Sequence, residues 1–330
     1  MKPKMMTKTE SFAPDYPAAI EFAETQLKIL WLPNEIKVEK DVQDILINMT
    51  EAERHGVITT LRLFTLYELK AGSEYWGGKF ARLFPRPDLL RMSSVFAAFE
   101  LAIHKPFYNK INELLHLNTD EFYMSYVKDE TLSSRMKYID EIVSSKDPLI
   151  SLAGFSLVEG AILYSSFAFL KHFQSKGKNK LNNIVRGINF SVRDENIHSM
   201  GGAWAFKTLM EEMKTSDEKK QEIEAKVQEM GKVLVEHEHR IVDMVFEKGE
   251  MEGINKEQMY RFVESRVDVC LGQLGFAPMY NIAKEDNHIA SYFYKGINDF
   301  VYNDFFAGAG KEYNRNWDET AFVWNTEVEE

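Results

Sequence analysis

Hydrophobic residues along most of this chain recur at intervals of three and four positions, the spacing of one face of an α-helix. After Thr50, for example, Val57, Leu61 and Phe64 fall on one such face. The pattern predicts helices over about residues 18–30, 51–77, 88–115, 148–173, 180–213, 216–247 and 256–274, and one or two helices over residues 119–146. Gly187 is expected to interrupt the helix over 180–213, and Gly201 with Gly202 to loosen it further along.

Local signals mark the ends of several of these helices. Thr50 followed by Glu53 resembles a capping box, and Pro148 opens the most apolar helix. Pro33 stops the first helix, because the residue before a proline is disfavoured in helical conformation. With only 9 prolines and 18 glycines in 330 residues, the sequence predicts an all-α protein.

The two ends of the chain differ from its middle in their predicted structure. Residues 1–15 are predicted to be a flexible tail, and residues 16–305 a single helical domain. Residues 306–330 are aromatic and acidic without a clear helical period. This segment is predicted to dock onto a partner, the alternative being a strap packed on its own domain. Its aromatic residues include Tyr313, Trp317 and Trp324.

Composition narrows the class of protein. Hydrophobic residues make up 45% of the chain and the net charge is −11, which argues against a nucleic-acid partner. Cys270 is the single cysteine, so no internal disulfide forms and a cytoplasmic location is expected. The N-terminus lacks the pattern of a signal peptide, and no apolar run is expected to reach the length of a membrane span.

One helix carries a pair of residues that can bind a metal. Glu195 and His198 are three positions apart in a run with helical period, so both side chains project from one face. A carboxylate and an imidazole together suit a transition metal with mixed oxygen and nitrogen ligands. Alone, this spacing is common by chance on exposed helices.

Three other predicted helices carry acidic residues within apolar surroundings. These are Glu68, Glu100 together with His104, and Glu159. A lone buried glutamate is ordinarily hydrogen-bonded or neutral, so each has an unremarkable interpretation. Their joint order on four helices, however, matches the pattern of a bundle that binds two metal ions. His237 and His239, in contrast, are interpreted as surface residues.

From Trp31 to about residue 306 the chain resembles the radical-generating small subunit of class I ribonucleotide reductases, which have a ferritin-like fold. The motifs are Trp31-x-Pro-x-Glu-Ile, Glu159-Gly-Ala-Ile and Arg193-Asp-Glu-x-x-His198, with Glu68 and with His104 followed by Tyr108. The resemblance implies two metal ions, which are di-manganese, di-iron or mixed. It implies the ligands Glu68, Glu100, His104, Glu159, Glu195 and His198.

The same resemblance implies a path for the oxidising equivalent. By this resemblance, Tyr108 is expected to hold the position of a stable tyrosyl radical, and His104, Asp194 and Trp31 to form a hydrogen-bonded relay towards the tail. The residues expected to complete the relay are Tyr313, Trp317 or Trp324. The implied partners are a large catalytic subunit that makes deoxyribonucleotides, a second copy of the chain in a homodimer, and possible activation by a flavoprotein. Such an enzyme is a ribonucleoside-diphosphate reductase, active only with its large subunit.

Three departures from the family pattern bear on this interpretation. Position 68 is glutamate, whereas the commonest members of the family have aspartate there. Glutamate at this position occurs in branches whose metal pair contains manganese. Glu100 and His104 are four residues apart rather than three, which predicts a π-bulge between Glu100 and Pro106. Ser191 and Lys70 are polar groups expected near the radical position, where they disfavour a long-lived tyrosyl radical.

Two other functions fit a bundle of this kind. The first is a di-metal oxidase or oxygenase that acts directly on a small apolar molecule. The second is a metal-storing or purely structural bundle. Neither has a use for a relay through Trp31 and Asp194, and Trp31 itself has the ordinary alternative of a packing residue.

Overall fold

The structure is a computed structural model of the chain and describes residues 2–294 and 297. Within those residues it is helical, with one isolated β-bridge between Met251 and Ile254. The helices are α1 (Pro17–Lys28), α2 (Glu51–Leu69), α3 (Ala81–Leu83), α4 (Pro87–Phe99), α5 (Lys105–Leu114), α6 (Asp120–Lys128), α7 (Glu130–Ser144), α8 (Pro148–Leu157), α9 (Tyr164–His172), α10 (Asn182–Glu212), α11 (Asp217–Val245), α12 (Lys256–Leu274) and α13 (Ala290–Phe293). The all-α prediction is confirmed.

Wider π-helical turns interrupt or extend several of these helices. They are Asp44–Asn48, Lys70–Phe80, Glu100–His104 and Val158–Ile162. The last three join α2 to α3, α4 to α5 and α8 to α9. The long predicted helices are therefore real, but three of them contain a segment with altered side-chain register.

Four long helical units form the core: α2 with its π extension, α4 through α5, α8 through α9, and α10. Helix α10 packs along α8, α1 lies against α4 and α10, and α11 and α12 cover the outer side. The predicted capping box is confirmed, since Thr50 accepts a hydrogen bond from the Glu53 backbone and Glu53 returns one. The ferritin-like bundle expected from the sequence is confirmed.

Helix α10 is continuous through its glycines. Gly187 and the pair Gly201 and Gly202 were expected to interrupt or loosen it, and that prediction was wrong. A Cβ atom at Gly187 would lie 2.2 Å from the Phe107 ring, and one at Gly201 would lie 2.8 Å from Phe96. These glycines let neighbouring rings approach the helix closely.

The prediction that no segment reaches the length of a membrane span was also wrong. Pro148–His172 passes by length and composition, but 94% of its most apolar window is buried inside the bundle. It is the only such segment among the described residues. Burial of this kind is typical of a core helix.

The N-terminal segment packs on the bundle. Met5 is fully buried and its backbone N–H donates to Glu212, while Asp88 accepts hydrogen bonds from the backbone of Asp15 and Tyr16. The sequence does not reveal these contacts. The division of the chain at residues 15 and 305 stays a prediction, and residues 306–330 lie outside the described part.

Candidate metal centre

The six predicted ligand residues meet in the middle of the bundle. Glu68 lies near the end of α2, Glu100 and His104 lie in one π segment, and Glu159 lies in another. Glu195 and His198 project from regular turns of α10. The side chains of all six are completely buried.

The ligand atoms form two overlapping groups. Glu68, Glu100, His104 and Glu195 make the first, and Glu100, Glu159, Glu195 and His198 make the second, each with ligand atoms within 4.8 Å of one another. Glu100 and Glu195 belong to both. Each histidine thus has one glutamate of its own and shares two others, the arrangement expected for two neighbouring ions with bridging carboxylates.

Individual distances support the bridging role of the two shared glutamates. Nδ1 of His104 lies 3.1 Å from Oε2 of Glu100 and 3.4 Å from Oε1 of Glu195. Nδ1 of His198 lies 2.6 Å from the other oxygen of Glu100 and 3.7 Å from the other oxygen of Glu195. Each shared carboxylate therefore directs one oxygen towards each histidine.

The donor set fits metal ions better than it fits hydrogen bonds. Both oxygens of Glu68 and of Glu195 are buried without a hydrogen-bond partner among the described residues, as is Oε2 of Glu159. Buried polar atoms are ordinarily paired, and an unpaired buried carboxylate is costly. Four glutamates and two histidines supply the oxygen-rich donors that manganese and iron accept.

The pKa directions show how strongly these groups interact. Burial, reinforced by nearby Glu100, raises the pKa of Glu68 well above its usual range, and burial with Glu195 does the same for Glu159. Burial also opposes ionisation of Glu100, but His104 and His198 hold its pKa well below the usual range. Such opposed shifts among touching groups are typical of a functional site.

The predicted hydrogen bonds beyond the ligands are present. Asp194 Oδ2 accepts from the Trp31 indole at 2.8 Å and lies 3.0 Å from Nε2 of His104. Gln26 donates to the other oxygen of Asp194 at 2.7 Å. Gln26 was not predicted, although its place on the buried face of α1, after Ala19 and Phe22, was a usable signal.

Tyr108 lies in a mainly apolar pocket with one polar contact. Its ring stacks on Phe64 with centroids 4.2 Å apart, and its hydroxyl donates to Ser191 at 3.2 Å. The expected approach of Ser191 is therefore observed. The expectation for Lys70 was wrong, because its ammonium pairs with Glu74 and Asp140, each at 2.9 Å.

The predicted π-bulge between Glu100 and Pro106 is confirmed by the segment Glu100–His104. Two similar segments, beside Glu68 and around Glu159, were not predicted. Each of those helices carries a single ligand, so no second residue reveals the shift in register. Trp76, in the segment after Glu68, was not predicted either, although its indole donates to Glu159 Oε1 at 2.8 Å.

Two histidines on α11 are more enclosed than expected. His237 is buried, accepts a hydrogen bond from Arg240 and packs against Tyr138, so its interpretation as a surface residue was wrong. His239 is half-buried beside Tyr260. Neither belongs to the metal-binding groups of the described residues. The relay candidates Tyr313, Trp317 and Trp324 lie outside those residues.

Known proteins resemble this chain over most of its length. A sequence profile described as ribonucleotide reductase, small chain, matches residues 8–288. The probable ribonucleoside-diphosphate reductase small subunit 048L of Invertebrate iridescent virus 3 is 24% identical over 303 residues, covering 85% of this chain and 78% of that protein. The ribonucleoside-diphosphate reductase subunit beta of Treponema pallidum is 22% identical, covering 91% and 86%.

Solved structures show the same fold. The dimanganese(II)-NrdF of Streptococcus sanguinis matches with a TM-score of 0.76 and 19% identity, over 87% of this chain and 99% of that one. A putative class I ribonucleotide reductase from Bacillus halodurans matches with a TM-score of 0.75 and 20% identity, over 86% and 100%. Together with the match over residues 8–288, these findings identify the chain as a member of the ribonucleotide reductase small-chain family.

Proposed function

We propose that this chain is the radical-generating small subunit of a ribonucleoside-diphosphate reductase, an oxidoreductase that works with a large catalytic subunit. The observation that carries the proposal is the pair of buried ligand groups sharing Glu100 and Glu195. Their hydrogen-bonded link to Trp31 adds support, since a storage or structural site has no need of it. The names of the relatives point the same way.

Two metal ions, di-manganese, di-iron or mixed, supply the ability to activate oxygen or superoxide and to store an oxidising equivalent. The residues that hold them are Glu68, Glu100, His104, Glu159, Glu195 and His198. Manganese is supported by Glu68, where the family commonly has aspartate, and by the dimanganese state named for the Streptococcus sanguinis protein.

The residues beyond the ligands provide a path for an electron between the metal centre and the partner. Asp194 fixes the His104 ring by accepting a hydrogen bond from Nε2–H, and the same oxygen accepts a hydrogen bond from the Trp31 indole N–H. When Trp31 loses an electron, Asp194 stabilises the resulting positive charge or takes the indole proton. Trp31 is thus the residue through which one electron passes between the centre and the partner.

The partner and the location follow from the same chemistry. Cys270 is buried and alone, so the thiols that reduce a nucleotide belong to a large subunit. Residues 306–330 are proposed to dock there, with Tyr313, Trp317 or Trp324 completing the relay. We also propose a homodimer, a possible flavoprotein activase and a cytoplasmic location.

Substitution of Trp31 tests this function. Trp31→Phe keeps an aromatic ring against Phe107 and Phe190 but removes the donor to Asp194. The variant is expected to bind two metal ions per chain, as the wild type does, and to lose at least about 100-fold in nucleotide reduction measured with the large subunit.

Trp204→Phe is the matched control. Trp204 packs against Tyr16 and Phe22, outside the ligand groups, so this variant should keep both metal content and activity. Full activity in Trp31→Phe would contradict the relay and favour a di-metal oxidase that acts directly on a small apolar substrate. Absence of metal from the wild type after loading would contradict the centre itself.

A further inference from the structure

One carboxylate of the cluster is held by a residue outside the ligand set. The indole N–H of Trp76 donates to Oε1 of Glu159 at 2.8 Å, and both side chains are fully buried. The other oxygen, Oε2, has no hydrogen-bond partner and lies 3.8 Å from Nδ1 of His198. Glu159 therefore presents a single free oxygen to the position beside His198.

Aromatic packing fixes the direction of the Trp76 N–H. The indole meets Phe96 and Phe155 at nearly right angles, with centroids 4.9 and 5.9 Å away, and it packs on Phe80 at 5.1 Å. It also packs edge-on against the His198 ring, with centroids 6.1 Å apart. A ring enclosed on several sides cannot turn away, so the hydrogen bond to Glu159 is preorganised.

The backbone that carries Glu159 is held as well. The π segment Val158–Ile162 places the carbonyl of Gly160 towards α12, where it accepts from Nε of Arg266 at 3.0 Å and from Nη2 at 2.9 Å. Arg266 is buried and positively charged, which strengthens both hydrogen bonds. The position of Glu159 is therefore set independently of its carboxylate.

The position beside His104 is built differently. Both oxygens of Glu68 lack a hydrogen-bond partner, so both are free to bind an ion. Asp194 holds Nε2 of His104, whereas the corresponding Nε2 of His198 has no hydrogen-bond partner among the described residues. The two metal positions thus differ in how many carboxylate oxygens they offer and in how firmly their imidazole is held.

We propose that Trp76 is a positioning residue that restricts Glu159 to coordination through one oxygen, which makes the His198 position the more open and the weaker of the two metal positions. A carboxylate bound through both oxygens fills two coordination positions, whereas one bound through a single oxygen leaves a position for an outside ligand. The inference rests on the metal centre proposed above and adds that its two positions differ in metal affinity.

A manganese titration of Trp76→Phe tests the inference. Phenylalanine preserves the packing against Phe80 and Phe96. It removes the hydrogen bond to Oε1 of Glu159, so that this oxygen becomes available to bind the ion. In the wild type, Mn(II) followed by electron paramagnetic resonance should bind in two unequal steps. In the variant, the weaker step should tighten by about tenfold, the scale on which groups around ligands tune metal affinity.

Trp204→Phe serves again as the control and should reproduce the two wild-type steps. Unchanged or weakened affinity in Trp76→Phe would overturn the role of Trp76 while leaving the centre in place. If the variant does not fold, a crystal structure of the Mn(II)-loaded wild type decides instead. Coordination by Oε2 alone is the expected result, and coordination by both Glu159 oxygens would overturn it. A wild type that binds no Mn(II) would overturn the centre and this inference together.

Discussion

Tyr108 shows how one polar contact changes what a buried phenol can do. Burial, with Glu68 nearby, raises the pKa of Tyr108 well above its usual range, so the phenol stays neutral. Its oxidation therefore has to release a proton together with an electron. Among the described residues, the hydroxyl donates to Ser191 Oγ, and a serine hydroxyl is a poor base. The contact stabilises the reduced phenol more than the radical.

We predict that Ser191→Ala prolongs any radical on Tyr108. A neutral hydrogen bond contributes about 1 kcal/mol, which corresponds to about a fivefold longer lifetime. The measurement is the decay of the tyrosyl signal in electron paramagnetic resonance after loading with metal and oxidant.

Tyr108→Phe should remove that signal, and Tyr67→Phe is the matched control. Tyr67 is also a fully buried phenol near the ligand carboxylates, but it adjoins Glu68 in sequence, and its hydroxyl has no hydrogen-bond partner among the described residues. A signal that persists in Tyr108→Phe would place the stored oxidant elsewhere, on the metals or on Tyr67. Equal lifetimes of the tyrosyl radical in Ser191→Ala and the wild type would contradict the predicted effect of Ser191.

The proposed ligands could be picked out from the sequence because their residue types contradict their surroundings. A glutamate such as Glu159, in an otherwise apolar run, has no place there unless something compensates its charge. Trp76 gave no such contradiction, since a tryptophan in a core is ordinary. What distinguishes it is the direction of one N–H bond, and that direction depends on packing across three helices.

At the level of helices, the π segments determine where the ligands point. A π turn adds one residue and rotates everything after it, so a side chain that would face a neighbouring helix can face the centre. Only Glu100–His104 was predictable, because two ligands four residues apart expose the extra residue. Around Glu159, the π segment coincides with a tight contact of Gly160 with α10 and α12, and this contact cannot be recognised from the sequence.

Substitution of Gly160 by alanine should disturb the centre through this contact. A Cβ atom there would lie 2.3 Å from Cys270 Sγ and 2.5 Å from Ser199 Oγ, so the π segment must shift. Overpacking of this kind costs about 1–3 kcal/mol. We expect a lower melting temperature and weaker Mn(II) binding, measured by thermal unfolding and by metal titration.

Two further variants separate packing from a general effect of alanine. Gly272 also lies in a helix, but a Cβ atom there meets nothing within 4 Å, so Gly272→Ala should be neutral or stabilising by up to about 1 kcal/mol. Cys270→Ala in the Gly160→Ala background removes one of the two clashes and should recover part of the loss. A Gly160→Ala protein as stable as the wild type would show that the segment accommodates a side chain.

At the level of the whole molecule, the centre joins helices that are far apart in the sequence. Glu68 comes from α2 and Glu195 from α10, and the groups they belong to also draw on the segments of Glu100 and Glu159. Without ions, these buried carboxylates depend on shared protons and on the two histidines. Ions bound between them would neutralise the charge and cross-link four helical units, so metal binding should stabilise the entire bundle.

We therefore predict that removal of metal lowers the free energy of unfolding of the whole chain. Each site contributes about 2.7 kcal/mol when free metal exceeds the dissociation constant 100-fold, so two sites should raise the melting temperature by several degrees. Calorimetry of the same preparation, stripped by a chelator and then reloaded with Mn(II), measures the difference. Glu195→Gln, which alters a shared ligand, should lose most of it. Glu74→Gln, on the surface beside Lys70, should retain it. If the stripped and reloaded wild type melted at the same temperature, the six buried residues would not be linked to folding through metal.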